Sequence, residues 1–119
     1  MASLAYVDHD YATASDLLKK ALGWAPQFSK ANLYLGICRL LQGDALSAVS
    51  PLQSASDKKK PSIAQAAHFY LGKAHLQLGQ VADAENEFRT AAAISGRLTS
   101  ESNAVLQRLQ AIRSAPENE

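Results

Sequence analysis

The stretch that decides the fold is Ala66–Ile94, AAHFYLGKAHLQLGQVADAENEFRTAAAI. Its first half carries Ala67, Phe69, Tyr70, Leu71, Ala74, Leu76 and Leu78 on two apolar helical faces, with Gly72 between them. Gly79 stops that helix, and Gln80-Val81-Ala82-Asp83 restarts the chain. Val81, Ala84, Phe88, Ala91, Ala92 and Ile94 then recur mostly every third or fourth residue, which is the stripe of a second amphipathic helix. Two helices joined this tightly lie antiparallel.

The same unit recurs upstream. Leu71-Gly72, Gly79, Ala84 and Ala91 overlie Leu35-Gly36, Gly43, Ala48 and Ala55, each displaced by 36 residues (71 − 35, 84 − 48). A further step of 34 residues (48 − 14) puts Ala48, Leu52 and Ala55 on Ala14, Leu18 and Ala21. A fixed period of this length marks a stacked helical repeat. In Leu35-Gly36, Gly43, Ala48, Leu52, Ala55 and Pro61, and again in Leu71-Gly72, Gly79, Ala84, Phe88 and Ala91, the sequence resembles the tetratricopeptide repeat family. The resemblance covers nearly the whole chain. It implies an all-α fold, an α-α superhelix of about six helices in which antiparallel hairpins stack with a right-handed turn.

The expected organisation is a single unit over 1–119. It divides into a partial repeat (1–28), two full repeats (29–62 and 63–97), a capping helix (98–114) and a frayed tail (115–119). Met1 to Val7 reads as the last turns of a first helix, followed by a turn at Asp8-His9-Asp10 and a helix over Tyr11–Leu22. Its abbreviated start suggests either an excised piece of a longer protein or a naturally shortened repeat. Ser29 is the expected N-cap of the second repeat. Pro51 falls inside the helix that follows Gly43-Asp44, and the register points it outward to solvent. The last helix carries Val105, Leu106, Leu109 and Ile112 as its stripe, with Gln107, Arg108, Gln110 and Arg113 facing away. It matches the capping helix of such arrays.

Small residues explain why hairpins nest. Gly36 and Gly72 each cost roughly 1 kcal/mol inside a helix relative to alanine, so a packing reason is expected. A Cβ there pushes the two helices of a hairpin apart, while Ala48, Ala55, Ala84 and Ala91 keep the opposing helix slim. Leu35, Leu52, Leu71 and Phe88 fill the remaining space at about 1.5–3 kcal/mol each.

Composition narrows the function. Of 119 residues 47% are hydrophobic but only 7% aromatic, which suits closely packed helices. The formal net charge of +1 gives no global reason to expect nucleic acid or an anionic membrane. No apolar run is long enough to span a bilayer, and no signal-peptide core is present. Cys38 is the single cysteine, expected as a small buried apolar residue. His68 and His75 share a helix face, but no metal-ligand spacing accompanies them or His9. Lys58-Lys59-Lys60 reads as a solvated loop. No phosphate loop, nucleophile triad or paired acids stand out, so neither enzyme activity nor a cofactor is expected.

In the family the first helix of each repeat lines an inner concave surface. Carried onto this chain, the resemblance assigns partner binding to Lys30, Leu33, Tyr34, Ile37, Leu41, Phe69, Tyr70, Lys73 and Gln77. Leu40 and Ala66 lie beside them, with Ser3, Tyr6 and Val7 from the partial repeat. Such a groove suits an amphipathic helix or an apolar peptide. Tyr34 and Tyr70 stand where the family's two-carboxylate clamp needs asparagine, so that clamp is absent. The expected role is a non-enzymatic protein-interaction module that binds a protein or peptide. The alternative is a structural segment of a larger protein, or a self-associating scaffold, whose groove the parent chain or another copy fills. The uncapped side of Leu4, Tyr11 and Leu18 is the expected surface for a homo-oligomer. Neither nucleic acid nor a membrane span is expected, and the style of repeat implies a bacterial, cytoplasmic protein.

Overall fold

The computed structural model describes the backbone of residues 2–114 and the side chains of residues 10–114. Six helices follow one another with short connections: α1 (Ala2–Trp24), α2 (Ser29–Leu41), α3 (Ala45–Ser54), α4 (Pro61–Gln77), α5 (Val81–Ala93) and α6 (Thr99–Ser114). There is no strand among the described residues.

The α2–α3 and α4–α5 turns are glycine turns. Gly43 (φ 82°) and Gly79 (φ 77°) occupy the left-handed region that side chains with a Cβ disfavour. After Gly43, Asp44 caps α3 by accepting a hydrogen bond from the Ser47 amide at 3.2 Å. Pro61 opens α4 at a position where its missing N–H is not needed.

No turn forms at Asp8-His9-Asp10, where the repeat register places one; α1 runs through it unbroken for 23 residues. That position lacks the glycine that both formed turns use. Ser29 is likewise not an N-cap. It is the first helical residue, and Phe28 precedes it with no side-chain cap. Asn32 instead reaches back, donating to the Pro26 carbonyl at 3.1 Å.

Each helix packs on the next, and α2 also packs on α4, so the first helices of successive hairpins lie side by side. The molecule measures 50 × 40 × 22 Å, and its radius of gyration is 15.4 Å. A chain of this length closed around a single core has a radius of about 13–14 Å. The elements therefore extend in a row, each touching its neighbours, as in a repeat array.

The core lies where the small residues place it. Ala48, Leu52, Ala55, Ala67, Leu71 and Ala74 form one buried cluster between the hairpins, and Phe69, Ala84, Phe88, Ala91 and Leu106 form a second under α6. A Cβ on Gly36 would collide with the Leu52 side chain, and one on Gly72 would lie 2.6 Å from Cζ of Phe88. These two glycines set how closely α2 approaches α3 and α4 approaches α5. By contrast Ala14, Leu18 and Ala21, in register with the core alanines and leucine, are only half-buried. On α1 they have a single neighbouring helix to pack against.

Pro51 departs from the outward position its register suggests: it is buried inside an unbroken α3. Proline at 51 supplies no N–H for the carbonyl of Ser47, four residues earlier. The Arg39 guanidinium of α2 donates to that carbonyl at 2.9 Å, so α3 carries a proline without leaving an orphan acceptor. At the other end Arg113 of α6 does not face away. It pairs with Glu85 of α5, a buried carboxylate whose second oxygen has no partner, as has the nearly inaccessible Ser102 hydroxyl. Of the α6 stripe, Leu106 is buried and Val105 and Leu109 pack beside it, while Ile112 is exposed.

Candidate functional site

The inner surface is built by α2 and α4 and closed at one side by the segment between α5 and α6. Lys30, Leu33, Tyr34 and Ile37 project from α2 at helical spacing, and Ile63, Ala66 and Tyr70 project from α4. With Arg97 and Leu98 they line a groove of about 460 Å³. Tyr34 is 46% exposed. Tyr70 is half-buried, its ring edge-on to Phe69 at 5.3 Å, and touches both clusters. Lys30 and Arg97 are exposed.

Of the nine binding residues expected from the sequence, Lys30, Leu33, Tyr34, Ile37 and Tyr70 meet in this groove, and Ala66 joins them. Leu41 is 53% exposed but belongs to a different place, the slot between α1 and α2. Phe69 is a correction. At 2% exposure, with its ring 5.5 Å from that of Phe88, it is a core residue rather than a groove anchor. Its place on α4 turns it toward α5 and α6 instead of α2. Lys73 is exposed on the same helix with its ammonium 5.0 Å from the centre of the Phe69 ring, a cation–π contact. Gln77 is exposed at the end of α4, outside the groove lining. Leu40 is buried in the core, and Ser3, Tyr6 and Val7 lie outside the residues whose side chains are described.

Sequence reasoning missed Gln65, Arg97 and Leu98. Gln65 sits at the start of the second turn of α4 and is 2% exposed. Its amide nitrogen donates to the carbonyls of Ala91 (3.1 Å) and Ile94 (2.6 Å) and to the Thr99 hydroxyl (3.0 Å). Its oxygen accepts from the Leu98 amide at 3.2 Å. One side chain thus satisfies the end of α5 and ties down the segment that carries Arg97 and Leu98. Thr99 completes the knot, donating to the Ile94 carbonyl at 2.8 Å and accepting from the Gly96 amide at 3.0 Å. A Cβ on Gly96 would collide with the Gln65 amide, which is why that segment has glycine at 96. The available signal was a glutamine set among Ala64, Ala66 and Ala67. A polar residue on an interior face needs partners, and the connection before α6 was the nearest source of them.

A second, nearly apolar slot of about 490 Å³ lies between α1 and α2, lined by Tyr11, Ala14, Leu17, Leu18, Tyr34, Ile37 and Leu41. Cys38 is at its base. Burial pushes the thiol above its usual range, opposed in part by a hydrogen bond from Ser15. A thiol held protonated is a poor nucleophile. His68 contacts Glu87 through Nδ1 at 2.8 Å and His75 contacts Gln80 at 2.6 Å, which accounts for both rings as local hydrogen-bonding groups. No cluster of three metal-ligating side chains occurs among the described residues. Lys58, Lys59 and Lys60 are exposed in the α3–α4 loop, where the Lys59 amide donates to Asp57 at 3.0 Å. No helix among the described residues is long and apolar enough to cross a membrane.

No curated protein and no solved structure matches the chain. Residues 65–97 match the tetratricopeptide repeat, and the match runs from Gln65 through the α4–α5 hairpin to Arg97. The α2–α3 hairpin repeats the same glycine turn, the same helix-contact glycine and the same buried alanines. The α4–α5 hairpin is thus similar to a tetratricopeptide repeat, and the described residues form a row of antiparallel helix hairpins of that kind.

Proposed function

We propose that this chain is a non-enzymatic interaction module that holds a peptide or partner helix along the inner surface of α2 and α4. Tetratricopeptide repeats generally mediate protein–protein contact. The observation that carries the reading to this surface is the groove itself. Two tyrosines, 36 positions apart (70 − 34), converge there with Leu33, Ile37 and Ala66 on a concave, largely apolar wall. Tyrosines supply a large contact area with few rotatable bonds, and their hydroxyls pair with the backbone of a bound segment. The residues proposed to bind are Lys30, Leu33, Tyr34, Ile37 and Tyr70, with Lys73 and Gln77 further along the same helix.

A second reading has its own support. Leu17 is 61% exposed and, with Leu41, forms much of the apolar slot beside α1. A further helix, from a longer parent chain or from another copy, would cover it. Affinity capture separates the two readings, because Leu17 lines only the slot and Lys30 only the groove. A partner lost on Lys30→Ala with Tyr34→Ala and retained on Leu17→Asp supports the groove. Loss on Leu17→Asp with retention on the groove variant assigns the work to the slot.

A further inference from the structure

The inner helices carry a charge bias that an apolar groove does not require. Neither α2 nor α4 contains a single Asp or Glu; their fixed charges are Lys30, Arg39 and Lys73. Helix α5, by contrast, carries Asp83, Glu85 and Glu87 against the single cation Arg89. In a chain of net charge +1 this is segregation rather than excess, with the acids placed off the inner surface.

The groove concentrates the bias. Lys30 and Arg97 line it, no acidic residue does, and neither cation makes an ion pair or hydrogen bond among the described residues. Arg39 is committed elsewhere, to the Ser47 carbonyl. Arg97 is held where it is by its neighbours: the Leu98 amide and the Ile94 carbonyl are both bonded to Gln65, and the Gly96 amide is bonded to Thr99. Two cations with no acidic partner among the described residues therefore line the groove together with Leu33, Ile37, Ile63 and Leu98.

We infer that the occupant is an acidic protein segment studded with apolar side chains. Leucine or aromatic groups pack against Tyr34, Ile37 and Tyr70, and Asp or Glu groups meet Lys30 and Arg97. This rests on the groove being the working surface and adds the sign of its ligand. Nucleic acid has the same sign, but a phosphate backbone needs a continuous basic track. Here only two cations line the groove, and Leu33, Ile37, Ile63 and Leu98 lie on its wall beside the two tyrosines. Charge matching of this kind sets partner choice and encounter rate more than total affinity.

Selection from a random peptide library displayed on phage, run on the full chain, tests the inference. Wild type is expected to enrich peptides that pair Leu or Phe with Asp or Glu. Lys30→Glu with Arg97→Glu is expected to weaken those peptides by about tenfold per charge and to enrich Lys- and Arg-bearing ones instead. Both side chains are exposed, and circular dichroism checks that the variant keeps its helices. Peptides lost on Tyr34→Ala, retained on Leu17→Asp and without acidic enrichment overturn the inference and leave the groove reading standing. If no peptide depends on Tyr34, both fall. A single-stranded DNA oligonucleotide that binds wild type and not the charge-reversed variant, with no acidic bias among peptides, overturns it in favour of nucleic acid.

Discussion

Four glycines show that the same residue type plays opposite parts in one chain. Gly43 and Gly79 supply turn conformations, whereas Gly36 and Gly72 remove a side chain where two helices meet. Gly23, inside α1, does neither: a Cβ there meets nothing within 4 Å. Replacing it with alanine removes only a propensity penalty, so Gly23→Ala is expected to stabilise by about 0.5–1 kcal/mol. Gly36→Ala is expected to do the reverse, losing about 1–3 kcal/mol as Leu52 is driven off its position. Urea unfolding of the two variants checks both signs at once. At this scale the sequence was legible where the 36-residue step repeats, and less so at Ala14, Leu18 and Ala21, which share the register but are only half-buried. The contact role of Gly36 and Gly72 and the burial of Ala48, Ala55, Ala84 and Ala91 follow from spacing alone. Gln65 was not legible, because its partners are backbone groups of a distant segment that no local pattern marks.

Element boundaries follow local chemistry where a residue with one strong preference is present. Glycine ends α2 and α4 within two residues of their last turns, and proline begins α4. Where no such residue stands, as at Asp8-His9-Asp10, the register alone misplaces a turn that the chain has no means to make. Pro51 is an element problem with a tertiary answer. An interior proline costs an isolated helix about 3 kcal/mol, yet α3 runs through it because Arg39 serves the stranded Ser47 carbonyl. That coupling is measurable as a double-mutant cycle. Arg39→Met keeps the aliphatic stem, removes the donor and is expected to destabilise by about 1–2 kcal/mol. In a Pro51→Ala background, where the substitution restores the missing backbone N–H, most of that loss is expected to vanish. Equal losses in both backgrounds would show that Arg39 stabilises α3 for some other reason. The sequence places Arg39 and Pro51 on different helices, and only the hairpin brings them together.

The molecule is a row of hairpins over its described residues, and the surfaces proposed to bind follow from where that row leaves helix faces open. The inner face of α2 and α4 stays open because each hairpin buries its other faces, on its own partner and on the next unit. The slot beside α1 is open among the described residues, where the main packing partner of α1 is α2. The resemblance to the repeat family pointed to the inner face, including Tyr34 and Tyr70, but it put Phe69 there as well. Adjacent residues on a helix diverge by about a quarter turn, and that difference sends Phe69 into the core and Tyr70 to the groove. Arg97 and Leu98 escaped because they enter the groove from a connection, not from a repeating helix. All of this geometry depends on the close approach of paired helices at their glycines. The most direct test is therefore the stability cycle of Gly72→Ala with Phe88→Leu, followed by urea unfolding. The expected result is that Gly72→Ala alone destabilises by about 1–3 kcal/mol, and that leucine at 88, by vacating the ring's space, removes most of the penalty of alanine at 72. Alanine at 72 that stabilises the chain, or that costs the same whichever residue stands at 88, would contradict the packing on which the groove is built.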